Sequence, residues 1–303
     1  MSFKQHSKVS LTAVQYNTLK EKEIKILIKK SELRIRDPFI LTDFETGCYY
    51  MYGTIDLKPG SYATAPTFSV CKTYDLENFE EPKVIFDGRK IDFWADRDFW
   101  APEVHKYNGR YYLFGSCKAE GKCRATHIFS CDKPDGEFTP VSEKPITPPD
   151  WECLDGRFFV EDGTPYMIFC HEWVQIKDGE IWAVELSNDL SQAVGDPFRL
   201  FKASDNPGVS ELKPKTGNYV TDGPFLYCED GKVKMIWSSF FNGRYLILEA
   251  QSDSLRGKWT HKGSKFDFDG GHAMIFTTLE GKRMISLHTP NKTDFERSAF
   301  YEL

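Results

Sequence analysis

One unit recurs five times along this chain, and it restricts the fold more than any other feature. Each copy is an apolar run, a short turn ending in glycine, and a second run rich in Tyr, Ile, Leu, Met and Phe. The turn glycines are Gly47, Gly109, Gly163, Gly231 and Gly281. Asn-Gly and Asp-Gly between β-rich runs are strong hairpin signals, because glycine readily takes the positive φ such turns need. Successive turn glycines lie 62, 54, 68 and 50 residues apart, a period that suits one four-stranded blade. After several hairpins a further strand pattern appears, in which a short polar turn precedes Phe138, Phe198 or Trp259. The expectation is an all-β, five-bladed β-propeller forming a single domain over residues 1–303, with 1–34 as an N-terminal extension or closing strand. A β-sandwich would show shorter and less regular strand spacing. Helical periodicity is confined to residues 18–30.

In a propeller the first strand of each blade lines the central channel, so polar residues at the starts of those strands converge. Walking back from each turn glycine reaches Asp37, Glu103, Asp155, Asp222 and His272, ten, six, eight, nine and nine residues upstream. Asp before Gly or Pro is also ordinary turn chemistry, the carboxylate bonding its own downstream amides. Five ionisable groups in register across five repeats point beyond turns. Carboxylates crowded on an axis repel one another and raise some pKa values, which marks a functional site. Trp94, Trp100, Trp151 and Trp173 fall in loop-like segments and are candidates for stacking on sugar rings, with core packing the competing role.

At these residues the chain resembles glycoside hydrolase family 43. The resemblance rests on Arg36-Asp37-Pro38, Phe99-Trp100-Ala101-Pro102-Glu103-Val104, Leu154-Asp155-Gly156, Thr221-Asp222-Gly223-Pro224 and Gly271-His272, in that order and at blade spacing. It implies a five-bladed propeller that hydrolyses α-L-arabinofuranosides or β-xylosides with inversion. Asp37 then stands where the general base does, Asp155 where a third carboxylate orients the acid and tunes its pKa, and Asp222 where the general acid does. Substrate-binding residues by the same reading are Trp100, Glu103, His171, Glu172, Trp173 and His272. No cofactor is required; in some members the axial histidine, here His272, meets a central calcium or its waters, although one histidine is a sparse ligand set for an ion that takes ~6–8 oxygens. The family pattern at 222 is usually Glu-Gly-Pro, and this chain has Asp-Gly-Pro, one methylene shorter. A shifted backbone compensates, or Glu103 or Glu172 serves as acid, or the protein binds sugar without cleaving it. An inverting hydrolase needs its acid and base about 6.5–9.5 Å apart to admit a water. A fructoside-acting propeller is a further alternative, suggested by Trp151-Glu152-Cys153, but the Asp-Pro-Asn-Gly segment it needs near the N-terminus is missing.

Composition narrows the partners. Net charge is −6 with both signs interspersed, and no basic patch suggests nucleic acid or an anionic membrane. No run approaches the ~20 apolar residues of a membrane span, and the N-terminus lacks an apolar leader, so a cytoplasmic location is expected. The eight cysteines lie mostly inside strand-like apolar runs and read as structural thiols rather than disulfides. The chain ends about 22 residues past Gly281, without the added domain common in xylosidic members of the family, which leans the reading towards arabinose; an intracellular location would suggest short oligosaccharides rather than polymer.

Overall fold

The computed structural model describes residues 26–55 and 65–303. It contains five antiparallel sheets arranged as the blades of a propeller. The first blade is built from β1 (Leu27–Lys29), β2 (Ile35–Asp43), β3 (Cys48–Ile55), β4 (Thr67–Thr73), β5 (Asn78–Glu80) and β6 (Lys83–Asp87). The second holds β7 (Arg97–Tyr107), β8 (Arg110–Lys118), β9 (Ala125–Cys131) and β10 (Thr139–Pro140). The third holds β11 (Cys153–Glu161), β12 (Thr164–His171), β13 (Glu180–Leu186) and β14 (Ala193–Lys202). The fourth holds β15 (Asp222–Glu229), β16 (Lys232–Phe241), β17 (Arg244–Ser252) and β18 (Thr260–Ser264). The last is three-stranded, with β19 (Gly271–Thr277), β20 (Arg283–Thr289) and β21 (Arg297–Glu302).

The hairpin glycines act as their sequence contexts require. Asn108-Gly109, Asp162-Gly163 and Asp230-Gly231 are two-residue turns with positive φ at both positions, the geometry whose twist matches that of the flanking strands. Asn242-Gly243 makes a further turn of this kind between β16 and β17, beyond the five hairpins read from the sequence. Phe138 and Trp259, expected to follow polar turns, are buried at blade edges. The helix expected over 18–30 is corrected where it can be followed: Leu27–Lys29 is an edge strand paired with β5, with Ile28 turned inward between exposed Leu27 and Lys29, the period of a strand. Residues 18–25, like most of the segment 1–34, lie outside the described residues.

The core runs between blades rather than through a single centre. Phe68, Phe86, Phe99 and Phe129 interlock where blades one and two meet, with ring centroids 4.5–6.1 Å apart. Trp237, Phe201 and Trp259 pack blade three against blade four. Glycines are required where strands approach closely: a Cβ on Gly115 would stand 2.3 Å from the Phe68 ring. The ring closes through Ile35, whose amide donates to the Glu296 carbonyl (3.4 Å) beside the Arg34–Arg297 bridge. All eight cysteines are free, five of them buried.

Candidate active site

The innermost strand of every blade carries a bulge near its start. Register shifts interrupt the pairing of β2 between Arg36 and Phe39, of β7 between Arg97 and Glu103, of β11 between Leu154 and Arg157, of β15 between Asp222 and Phe225, and of β19 between Gly271 and Met274. At each lies a residue in the left-handed region: Asp37 (φ 56°), Ala101 (φ 47°), Asp155 (φ 56°), Gly223 (φ 51°) and His272 (φ 50°). A bulge bends the strand and re-aims a side chain. Four non-glycine residues held in αL represent strain of the sort that collects at functional sites. The result is a cavity of about 540 Å³ on the axis, lined in part by Arg36, Asp37, Trp100, Asp155, Glu172, Trp173, Asp222, Tyr245 and His272.

His272 ties Asp37 to Asp155: its Nδ1 lies 3.2 Å from Asp37 Oδ1 and 3.6 Å from Asp155 Oδ2. His288 Nδ1 lies 3.3 Å from both the Asp37 backbone nitrogen and its Oδ1. Thr54 Oγ1 donates to Asp37 Oδ2 (3.3 Å) and accepts from the Ala101 amide (3.0 Å). Arg36, anchored on buried Glu296 (3.1 Å), adds its positive charge at 4.0 Å. Asp155 Oδ2 accepts from the Gly223 amide (2.8 Å), so the third carboxylate grips the backbone immediately after Asp222. Asp222 Oδ2 accepts from the Tyr245 hydroxyl (3.0 Å).

These surroundings drive the carboxyls apart. Burial alone would raise Asp37, but His272, His288 and Arg36 together hold it well below the usual carboxylate range. Burial, reinforced by the neighbouring Asp155, pushes Asp222 up to about 7, with Tyr245 pulling the other way. Asp155 is also raised, by burial and then by Asp37. Asp37 stays ionised while Asp222 keeps its proton towards neutrality, the division of labour that acid–base chemistry needs.

Of the other residues expected here, Trp100, Glu172 and Trp173 line the cavity with His272. Arg124 covers the Trp100 ring at 4.0 Å and is clamped by Asp98 (2.8 Å) and Glu172 (2.6 Å). Glu172, a candidate replacement acid, is therefore committed to an ion pair. The structure places Glu103, expected to bind substrate, outside the cavity lining, as a support. It follows the β7 bulge rather than sitting at it, and its buried carboxylate is bonded to Arg157 (2.8 Å) and His105 (3.2 Å) away from the cavity. His171 is likewise a support: it stacks on Trp151 at 4.3 Å and bonds Gln175 (2.7 Å), fixing the helical turn Trp173–Ile176 that presents Trp173. Trp151 and Trp94 stand apart from the cavity, Trp94 bonding His127 at 3.2 Å. Thr54, Tyr245, His288 and Arg124 went unread in the sequence. They come from second strands, third strands and a loop, where no turn glycine marks the register. A calcium ion takes about six to eight oxygens. Among the described residues no group of three or more His, Cys, Asp or Glu is disposed to hold a metal, and the carboxylates beside His272 are already bonded to Gly223, Thr54 and the histidines.

A five-bladed propeller whose axial cavity holds one carboxyl low and pushes its neighbours up is suited to general acid–base hydrolysis. The chain belongs to glycosyl hydrolases family 43, whose model matches residues 31–302. A solved endo-arabinase from Bacteroides thetaiotaomicron is 41% identical and superimposes with a TM-score of 0.82, covering 91% of this chain and 96% of that one. The extracellular endo-α-(1→5)-L-arabinanase 1 of Bacillus subtilis is 26% identical over 223 residues, 68% of this chain. The xylosidase/arabinosidase 43A of Humicola insolens is 30% identical over 155 residues, 49% of this chain. The chain spans 64% of the Bacillus protein's length and 44% of the Humicola protein's.

Proposed function

We propose that this protein hydrolyses α-L-arabinofuranosyl linkages, with α-1,5-linked arabino-oligosaccharides as substrate class, by single displacement with inversion. The observation that carries the mechanism is the split between Asp37, held ionised, and Asp222, held at about 7. Asp37 takes a proton from a water as that water attacks the anomeric carbon. Asp222 gives its proton to the departing glycosidic oxygen. Asp155 fixes the acid through the Gly223 amide and, by its proximity, keeps the acid's proton on near neutral pH. Trp100 and Trp173 offer apolar faces for the sugar rings. The preference for arabinose over xylose rests on the 41% identity to the Bacteroides endo-arabinase and on the likeness to the Bacillus arabinanase. A sugar-binding propeller without turnover has no need of an acid tuned to neutrality, and the relatives named above are arabinan-, arabinoside- or xyloside-acting by their names.

The test is incubation of the purified protein with α-1,5-arabino-oligosaccharides and, separately, xylo-oligosaccharides, with products followed by chromatography and by ¹H NMR of the newly formed anomeric centre. Arabinose-containing products appearing first as the β-anomer support the proposal. Cleavage of xylo-oligosaccharides alone overturns the substrate class, and first appearance of the α-anomer overturns the single displacement.

A further inference from the structure

Tyr245 enters the cavity from β17, the third strand of its blade, whereas the groups so far given chemical roles stand on innermost strands. Its ring is buried and stacks on His288 with centroids 6.1 Å apart and planes 18° from parallel. Gly271 makes the room: a Cβ there would lie 2.2 Å from Tyr245 Cε1. The hydroxyl thus held donates to Asp222 Oδ2 at 3.0 Å, and a hydroxyl oxygen has one proton to give. Asp222 is faced otherwise by Asp155 from β11, His272 from β19 and Arg36 from β2.

We propose that Tyr245 is the positioning residue for proton delivery: by occupying Oδ2 it leaves the transferable proton on Oδ1 and stabilises the carboxylate that forms as the proton departs. The step balances simply. The O–H bond at Oδ1 breaks, a new O–H bond forms on the leaving-group oxygen, and the electron pair left on Asp222 is shared into the Tyr245 hydrogen bond. The role rests on the reading of Asp222 as the acid. It makes two demands that a purely structural tyrosine does not. The acid is strengthened by Tyr245, so losing the hydroxyl weakens it. The loss matters in proportion to how much protonation the leaving group needs.

The experiment compares the parent chain with Tyr245→Phe, which keeps the ring and its stacking and removes one oxygen. Titration of ¹³C-labelled aspartate carboxyls by NMR, with the Asp222 signal assigned from Asp222→Asn, reads the first demand without any substrate. The Asp222 midpoint is expected to rise by about one unit or more in the variant, as loss of a charge-assisted hydrogen bond implies. An unmoved or lowered midpoint overturns the proposal. Kinetics read the second. At pH 6 the variant is expected to cleave an arabino-oligosaccharide roughly tenfold or more slowly, yet to cleave the 4-nitrophenyl glycoside of the same sugar within about threefold of the parent, because a nitrophenolate leaves with little protonation. Equal losses on both substrates overturn the role. Should the parent cleave neither while the midpoint still rises, the arabinose reading fails and the coupling of Tyr245 to Asp222 stands.

Discussion

Asp37 and Asp222 both stand on the innermost strands of their blades, and their neighbours send them opposite ways. Asp37 faces two imidazoles and a guanidinium; Asp222 is raised by desolvation and by Asp155 more than Tyr245, His272 and Arg36 pull it down. The pH dependence follows. The kcat/KM profile is expected to fall about tenfold per unit above pH ~7, as Asp222 loses the proton it must donate. Asp37 must be ionised to act and stays so through the ordinary carboxylate range, so it sets no acid limb between pH 4 and 6. A stopped assay across pH 4–9 checks both limbs; an alkaline limb far from neutrality would separate Asp222 from the acid role. Asp37→Asn is expected to lower kcat by roughly 10³-fold or more and to lower the melting temperature near neutral pH as well, since Asn keeps the size but neither takes a proton nor carries the charge that His272, His288 and Arg36 stabilise; general base contributions run to ~10²–10⁴. Asp37, Asp155, Asp222 and His272 were legible in the sequence because each follows from the position of a turn glycine. Tyr245 and His288 were not. They reach the site from the second and third strands, and nothing local in the sequence distinguishes a tyrosine aimed at a carboxyl from the many that fill cores.

At the scale of the element, the bulge on each inner strand aims the chemistry. It also explains why the intervals back from the turn are unequal and why, in blade two, the residue so reached does not line the cavity. The β7 strand carries register shifts on both sides of Trp100, so six residues before Gly109 lies Glu103, beyond the bulge, where the side chain meets Arg157 instead of the cavity. Pairing register depends on where the extra residue is inserted, and apolar alternation alone does not reveal that. The glycine following the acid offers a test. Gly223 has φ 51°, and an added Cβ would lie 2.7 Å from His272 Cγ. Gly223→Ala is therefore expected to push His272 away from Asp37 and Asp155 and to disturb the amide that Asp155 holds. Activity should drop by about 10²-fold, the scale of an ångström misplacement in a catalytic group, while far-ultraviolet circular dichroism keeps its β signature. A variant with parental kcat/KM would mean the bulge tolerates a side chain and does not set the site's geometry.

For the molecule as a whole, the same carboxyls couple catalysis to stability. A group whose folded pKa is raised favours folding while protonated and loses that advantage as pH rises. For Asp222 the loss begins near its unfolded value of about 3.9 and is complete above about 7. Three units correspond to about 4 kcal/mol at most, a large share of the ~5–15 kcal/mol that holds a domain folded. Asp37 works in the opposite sense: its folded pKa is depressed, so its contribution is present above the unfolded value and is lost only in strong acid. Between pH 4 and 8 the Asp222 penalty therefore dominates, and Asp155, raised by the same burial, adds to it. Asp222→Asn removes the titrating group while keeping its size. Its stability advantage over the parent is expected to be small at pH 4, to grow through pH 5–7 and to level off by pH 8, where its melting temperature should exceed the parent's by several degrees. Urea unfolding of both chains at pH 4, 6 and 8 reads this directly. A gap that stays constant with pH would show that Asp222 ionises as easily in the folded chain as in the unfolded one, and the proton it is held to deliver at neutrality would then have to come from elsewhere.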